Sequence, residues 1–237
     1  PEPLLRNLQE FAEVIKLSEN IDCGLAVDGD ADRLAMFDDK GNYIDSHHIL
    51  LLLIHYLAGY KGLKGKVGAG FSSSVKINAL SKYYGLDMEI VPIGFKHLCG
   101  IMLREKVLVG GEESGGIAIA GHIPERDGIW NGITLWNFMT ETGKSIRELI
   151  EEIYKIVGPF AFERSDLHLD KTLKEKIVNN CLNNKYKEFG KYKVQRVETL
   201  DGFKYYFNDS EWLLIRPSGT EPVLRTYAES HTREEAL

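Results

Sequence analysis

Residues 66–116 read KVGAGFSSSVKINALSKYYGLDMEIVPIGFKHLCGIMLREKVLVGGEESGG, and their alternation decides the fold. Short apolar runs at 66–70, 88–91 and 107–109 are separated by stretches with helical spacing at 75–84 and 96–104. Strands alternating with helices in this way predict a mostly parallel sheet with helices on its faces. Further helices are predicted over 49–57, 129–141 and 146–156. Upstream, the apolar spacing predicts a helix over 4–15, a short buried strand at 23–27, and a strand at 34–37 followed by a turn at 39–42. Gly158-Pro159 is the linker candidate. Beyond it a helix at 173–183 precedes strands at 192–197, 203–207, 212–215 and 223–227. The fold class is therefore α/β: a three-layer α/β/α domain with a mixed, mostly parallel sheet, then a small α+β C-terminal domain.

Bulk properties narrow the function. A chain of 237 residues can form one large domain or two small ones. The net charge is -6 without a long basic run, which disfavours a nucleic-acid surface, where clustered Lys and Arg are required. No apolar run is long enough to span a bilayer. Cys23, Cys99 and Cys181 lack metal-ligand spacing and read as free thiols in a reducing cytoplasm. No signal peptide is visible. The chain begins with Pro1 rather than Met, so it is expected to be a piece of something longer.

Asp28, Asp30 and Asp32 alternate after the first strand, in the run DGDADR. Three carboxylates so close repel one another, and a hard cation with oxygen ligands would relieve that. A solvated acidic turn is the alternative. An EF-hand is excluded, because Arg33 and Asp39 stand where that loop needs Gly and Glu. Arg33 suggests a phosphate beside the ion.

A second turn, residues 110–116 (GGEESGG), follows a strand. Its carboxylates and Ser114 could bind a polyol, or it could be a glycine-rich turn with a helix cap. Arg126 lies just downstream. The turn containing Gly94 and Lys96 sits at another strand end, the edge where ligands gather in such sheets. A third loop, Arg216-Pro217-Ser218-Gly219-Thr220-Glu221-Pro222, offers a guanidinium, hydroxyls and a flexible backbone, with Arg225 on the next strand. It reads as an anion nest or as an ordinary hairpin turn. Ser72-Ser73-Ser74 reads as a helix cap and not a nucleophile. His47, His48, His55, His168 and His231 show no metal spacing.

The order of DGDADR, GFK, GEESGG, ERDG and RPSGTEP resembles the α-D-phosphohexomutase superfamily over nearly the whole chain. The resemblance implies four domains in the intact protein. Here 1–45 would end the second α/β/α domain, 46–157 form the third, and 158–237 form the α+β fourth. It also implies a magnesium-dependent phosphoglucomutase or phosphomannomutase working through a phosphoserine and a bisphosphorylated sugar. The loop carrying that serine is not found here, so the chain alone is expected to be inactive and to need the N-terminal phosphoserine domain as its partner.

By the same resemblance Asp28, Asp30 and Asp32 would hold Mg²⁺, with Arg33 and Lys96 at the reacting phosphate. Gly94, Glu112, Ser114 and Arg126 would serve the hexose phosphate, and Arg216, Ser218, Gly219, Thr220 and Arg225 its distal phosphate. Glu113 and Gly116 depart from the Gln and His usual in relatives acting on glucosamine phosphate. A non-catalytic phosphosugar-binding module and a phosphoglucosamine mutase are the alternatives, and an unrelated magnesium phosphatase a weaker one.

Overall fold

The structure is a computed structural model describing residues 2–218 and 223–237. It divides into two compact units, Pro1–Gly158 and Pro159–Leu237.

The first unit opens with a 3₁₀ turn, Leu5–Asn7, and helix α1 (Gln9–Leu17). The sequence predicts one helix here. Asn7 breaks it, because its side-chain amide donates to Glu2 O at 2.8 Å and competes with the helical pattern. Strands β1 (Cys23–Val27), β2 (Leu34–Asp38) and β3 (Tyr43–Ile44) form an antiparallel sheet in that order. β2 is central and fully buried, whereas β1 lies at the edge and is only half-buried, contrary to the expectation of a buried strand. Ala12 and Ile15 of α1 pack against Phe37.

Asp45 caps α2 (Ser46–Ile54) by accepting from His48 N, so the helix starts earlier than its apolar run suggests. It continues as a π-helical segment, His55–Tyr60. α2 is apolar on nearly every side and is buried accordingly.

Next come β4 (Lys66–Gly70), α3 (Val75–Tyr83), β5 (Met88–Val91), α4 (Phe95–Met102), β6 (Val107–Gly111) and β7 (Ile117–Ile119). The sheet order is β5-β4-β6-β7, with β4 parallel to both neighbours and β7 antiparallel to β6. The chain steps one way from β4 to β5 and back past β4 to β6. Right-handed crossovers in opposite directions place α3 and α4 on opposite faces. α4 packs on β4 and β6, while α2, α3 and α6 pack on one another. α5 (Gly128–Thr142) and α6 (Ile146–Val157) complete the unit. β7 is too short for its periodicity to show in sequence.

The second unit contains β8 (Ala161–His168), α7 (Lys171–Leu182), β9 (Glu188–Phe189), β10 (Tyr192–Lys193), β11 (Arg196–Glu198), β12 (Phe203–Tyr206), β13 (Trp212–Pro217), β14 (Val223–Ser230) and α8 (Arg233–Ala236). Five strands form an antiparallel sheet, β11-β12-β13-β14-β8, and α7 covers it through Cys181, Ile177 and Val178. The strand expected over 192–197 is split. Val194 N bonds Lys187 O while Gln195 N bonds Tyr206 O, so the backbone changes partners between them. The fold is the predicted α/β/α unit followed by a small α+β unit. Among the described residues no helix is long and apolar enough to cross a membrane.

Candidate functional site

The strand order reverses at β4, and the turns leaving the carboxyl ends of β4, β5 and β6 meet there, where ligands bind in such sheets. Glu112 leaves β6 and is 5% exposed. Its Oε1 accepts from Gly94 N at 2.6 Å, in the turn after β5. Glu113 Oε2 accepts from Ser72 Oγ at 2.5 Å, in the turn after β4. Ser46 Oγ at the start of α2 donates to Glu113 O at 2.5 Å. Gly94 has φ +128°, a conformation that favours glycine. Gly115, at φ +93°, lets the turn fold back so that Leu34 N donates to Gly115 O at 3.2 Å.

Burial pushes the Glu112 carboxyl above its ordinary range; the Gly94 N–H pulls it back and neighbouring Glu113 pushes it up. Ser114 is half-buried at the tip of the turn, and Lys96 is exposed in the first turn of α4. Ser74 caps α3 as expected. Ser72 was legible only as part of that cap. Its place just past a parallel strand is the signal that could have found it.

The acidic loop lies beside this turn. Arg33 forms an antiparallel bridge with Gly116, and Gly128 N donates to Ala31 O at 2.8 Å. A Cβ on Gly128 would stand 2.7 Å from Arg33 O, so the close approach requires glycine there. One carboxylate oxygen from each of Asp28, Asp30 and Asp32 lies within 4.8 Å of the others. Arg33 N donates to Asp28 Oδ1 at 3.2 Å, its Nε is 3.4 Å from Asp28 Oδ2, and its Nη1 pairs with Glu2 at 2.7 Å.

Arg126 Nη2 pairs with Asp32 Oδ2 at 2.6 Å. Burial raises the Asp32 carboxyl above its ordinary range, Arg126 opposes this, and Asp28 and Asp30 add to it. Asp32 Oδ1 is buried and accepts no hydrogen bond. An all-oxygen donor set with an unsatisfied buried oxygen fits a hard divalent cation.

In the second unit Arg216 on β13 faces Arg225 on β14, which faces Asp166 on β8. Arg216 Nε donates to Asp201 at 3.0 Å, and Arg225 Nε stands 3.6 Å from Asp166. Lys174 Nζ donates to Ser218 O at 3.2 Å. Two arginines side by side repel, and the aspartates offset them. Asp166 and Lys174 carry no motif in sequence. Gly219 and Thr220 lie outside the described residues.

An α/β/α unit with an oxygen-donor loop and a carboxylate turn at its sheet edge, followed by an α+β unit with paired arginines, defines the class. The chain belongs to the phosphoglucomutase/phosphomannomutase family, matching its alpha/beta/alpha domain III over residues 45–157 and its C-terminal domain over 174–237. A phosphoglucomutase/phosphomannomutase of Thermococcus kodakarensis is 29% identical over 236 residues, 100% of this chain and 49% of the relative. A phosphoglucosamine mutase of Latilactobacillus sakei is 31% identical over 92% of this chain and 44% of its own length. The crystal structure of a "putative phosphomannomutase" from Thermus thermophilus superposes with a TM-score of 0.84 at 28% identity, covering 100% of this chain and 48% of that one. The chain thus spans about half the length of the curated relatives it matches.

Proposed function

We propose that this chain supplies the metal, sugar and distal-phosphate sites of a phosphohexomutase that interconverts hexose 1-phosphate and hexose 6-phosphate, with glucose or mannose as the sugar. The observation that carries this is the juxtaposition of the acidic loop and the Glu112 turn through the Arg33–Gly116 bridge. Residues 1–45, 46–157 and 158–237 then correspond to the end of a second domain, a third domain and a fourth.

The N-terminal phosphoserine domain that this reading requires as a partner would give its phosphoryl group to one sugar hydroxyl. The bisphosphorylated sugar would turn over and return its other phosphate to the serine, which restores the phosphoserine and leaves the isomerised hexose phosphate. Such transfers depend on positioning and on neutralising charge. Asp28, Asp30 and Asp32 would hold Mg²⁺, which would supply positive charge to offset that of the phosphoryl group. Arg33 steadies phosphoryl oxygens, and Lys96, exposed on the first turn of α4, holds or moves the proton of the reacting hydroxyl. Glu112 and Ser114 accept from and donate to sugar hydroxyls, with Gly94 fixing Glu112. Arg126 serves the same site through Asp32. Arg216, Ser218, Gly219, Thr220 and Arg225 bind the phosphate that is not reacting and so hold the sugar in place for the transfer.

A coupled assay of the full-length protein with glucose 1-phosphate, mannose 1-phosphate and glucosamine 1-phosphate tests the proposal. Turnover of glucose or mannose phosphate above glucosamine phosphate is expected. Glucosamine phosphate is the second reading, favoured by the 31% identity to a phosphoglucosamine mutase. Binding of sugar phosphate with no turnover of any of them would leave a phosphosugar-binding module instead.

A further inference from the structure

Arg126 lies where three turns of the first unit meet. Its guanidinium holds Asp32 Oδ2 at 2.6 Å. Its carbon Cζ stands 5.4 Å from the ring centroid of Phe95, which opens α4. Its stem crosses Gly116 so closely that a Cβ there would be 2.4 Å from Arg126 Cδ and 3.2 Å from Cγ. Gly116 is not among the glycines with positive φ, so the backbone conformation does not demand glycine at that position. The space above it is what the stem uses.

Asp32 is thereby asymmetric. One oxygen is held by Arg126 at 2.6 Å, while Oδ1 is buried, accepts no hydrogen bond and has only the more distant Arg33 Nε, 3.8 Å away. Three neighbouring carboxylates repel, and without a restraint Asp32 would swing away from Asp28 and Asp30. We infer that Arg126 is a positioning residue: it latches Asp32 so that the acidic loop stands preformed for a divalent cation. Gly116 is small because the latch passes over it. The inference rests on the metal-loop reading above and adds the residue that sets the loop.

Three substitutions separate charge, stem and space. Arg126→Met keeps the stem and removes the charge. Arg126→Lys restores a charge on a similar stem. Gly116→Ala leaves Arg126 in place but pushes its stem aside. Mn²⁺ binding to the whole chain, followed by electron paramagnetic resonance, reports the cation. Amide hydrogen exchange over residues 28–34 without metal reports the latch.

Arg126→Met and Gly116→Ala should each weaken Mn²⁺ binding about tenfold, the scale for losing a partner of a metal ligand. Each should also speed exchange over residues 28–34 in the metal-free chain. Arg126→Lys should recover most of both effects, which a packing role for the stem would not predict. The double variant Arg126→Met/Gly116→Ala should be no weaker than the worse single one, because both remove one interaction.

Unchanged exchange in Arg126→Met would overturn the latch. Equal or tighter Mn²⁺ binding in that variant would overturn the positioning role and make Arg126 a competitor of the cation. Failure of the unsubstituted chain to bind Mn²⁺ would instead sink the metal reading itself, while exchange would still report whether Arg126 holds the loop.

Discussion

The backbone N–H of Gly94 donates to Oε1 of Glu112 at 2.6 Å, joining the turns after β5 and β6 into one wall of the candidate site. This bond leaves Glu112 buried yet oriented, with its pKa above the ordinary 4.5 because burial penalises the charged form.

The sign of the resulting pH dependence follows from linkage. Below the ordinary carboxylate range Glu112 is neutral in both the folded and the unfolded chain. As pH rises from about 4.5 through the raised folded value, the unfolded chain ionises first and stability is lost. Gln at this position still accepts from Gly94 but never ionises. Glu112→Gln should therefore melt above the wild type at pH 7, with the gap closing near pH 4. Loss of a charged hydrogen bond to substrate should lower kcat/KM about 10–100-fold. A variant less stable than wild type across that whole range would contradict the burial argument.

Asp30 is the exposed member of the acidic trio. Removing its charge relieves repulsion but deletes a ligand. Asp30→Asn should raise the melting temperature of the metal-free chain slightly, by about 0.5 kcal/mol of stability. Its melting temperature should rise less with added Mg²⁺ than that of the wild type, because stabilisation by a ligand follows RT ln(1 + [L]/Kd). Equal Mg²⁺-induced shifts in the two proteins would remove Asp30 from the ligand set.

Much of this architecture is legible in sequence because its signals are local. The strands of 66–70, 88–91 and 107–109 are bounded by Gly and polar turns, and the helices between them keep one register. The acidic loop and the Glu112 turn are legible as residue types, since three alternating carboxylates or four glycines within seven residues need a reason. What joins them is not local. The Arg33–Gly116 bridge, the Arg126–Asp32 pair and the Ser72–Glu113 bond connect residues 41 to 94 positions apart in chain number, and nothing in their own segments announces the partner. β8 escapes notice for another reason. Three of the eight residues in its sequence AFERSDLH are charged, and its pairing with β14 supplies what its own apolar content does not.

Glu152 on α6 predicts a different pH response from Glu112. Burial raises its carboxyl, but hydrogen bonds from Lys144, Tyr60 and His55 outweigh this and bring it down to about 2. Tyr60 and His55 both lie in the π-helical segment, so the carboxylate ties that segment to α6. A depressed carboxyl stabilises the fold above its unfolded value of 4.5, and that contribution is lost as pH falls through about 2. Glu152→Gln should cost about 1–2 kcal/mol at pH 7 after allowing for solvent screening of a partly exposed group. The two proteins should converge in stability as pH falls toward 2. A constant difference down to pH 2 would mean that packing, not charge, accounts for the loss.

Arg225 sits between Arg216 and Asp166 in register across three strands, and its charge is already partly offset. A phosphate bound near the pair would take the place of repulsion between the two guanidinium groups with two attractions. That attraction acts on a group remote from the chemistry, so it is shared by ground state and transition state. Arg225→Gln in the full-length protein should therefore raise KM for hexose phosphate about tenfold or more with a smaller change in kcat. Because Asp166 also pairs with Arg164 at 2.8 Å, the sheet keeps a counter-charge and the fold should persist. A fall in kcat at unchanged KM would instead place Arg225 at the reacting phosphate and reverse its assignment to the distal one.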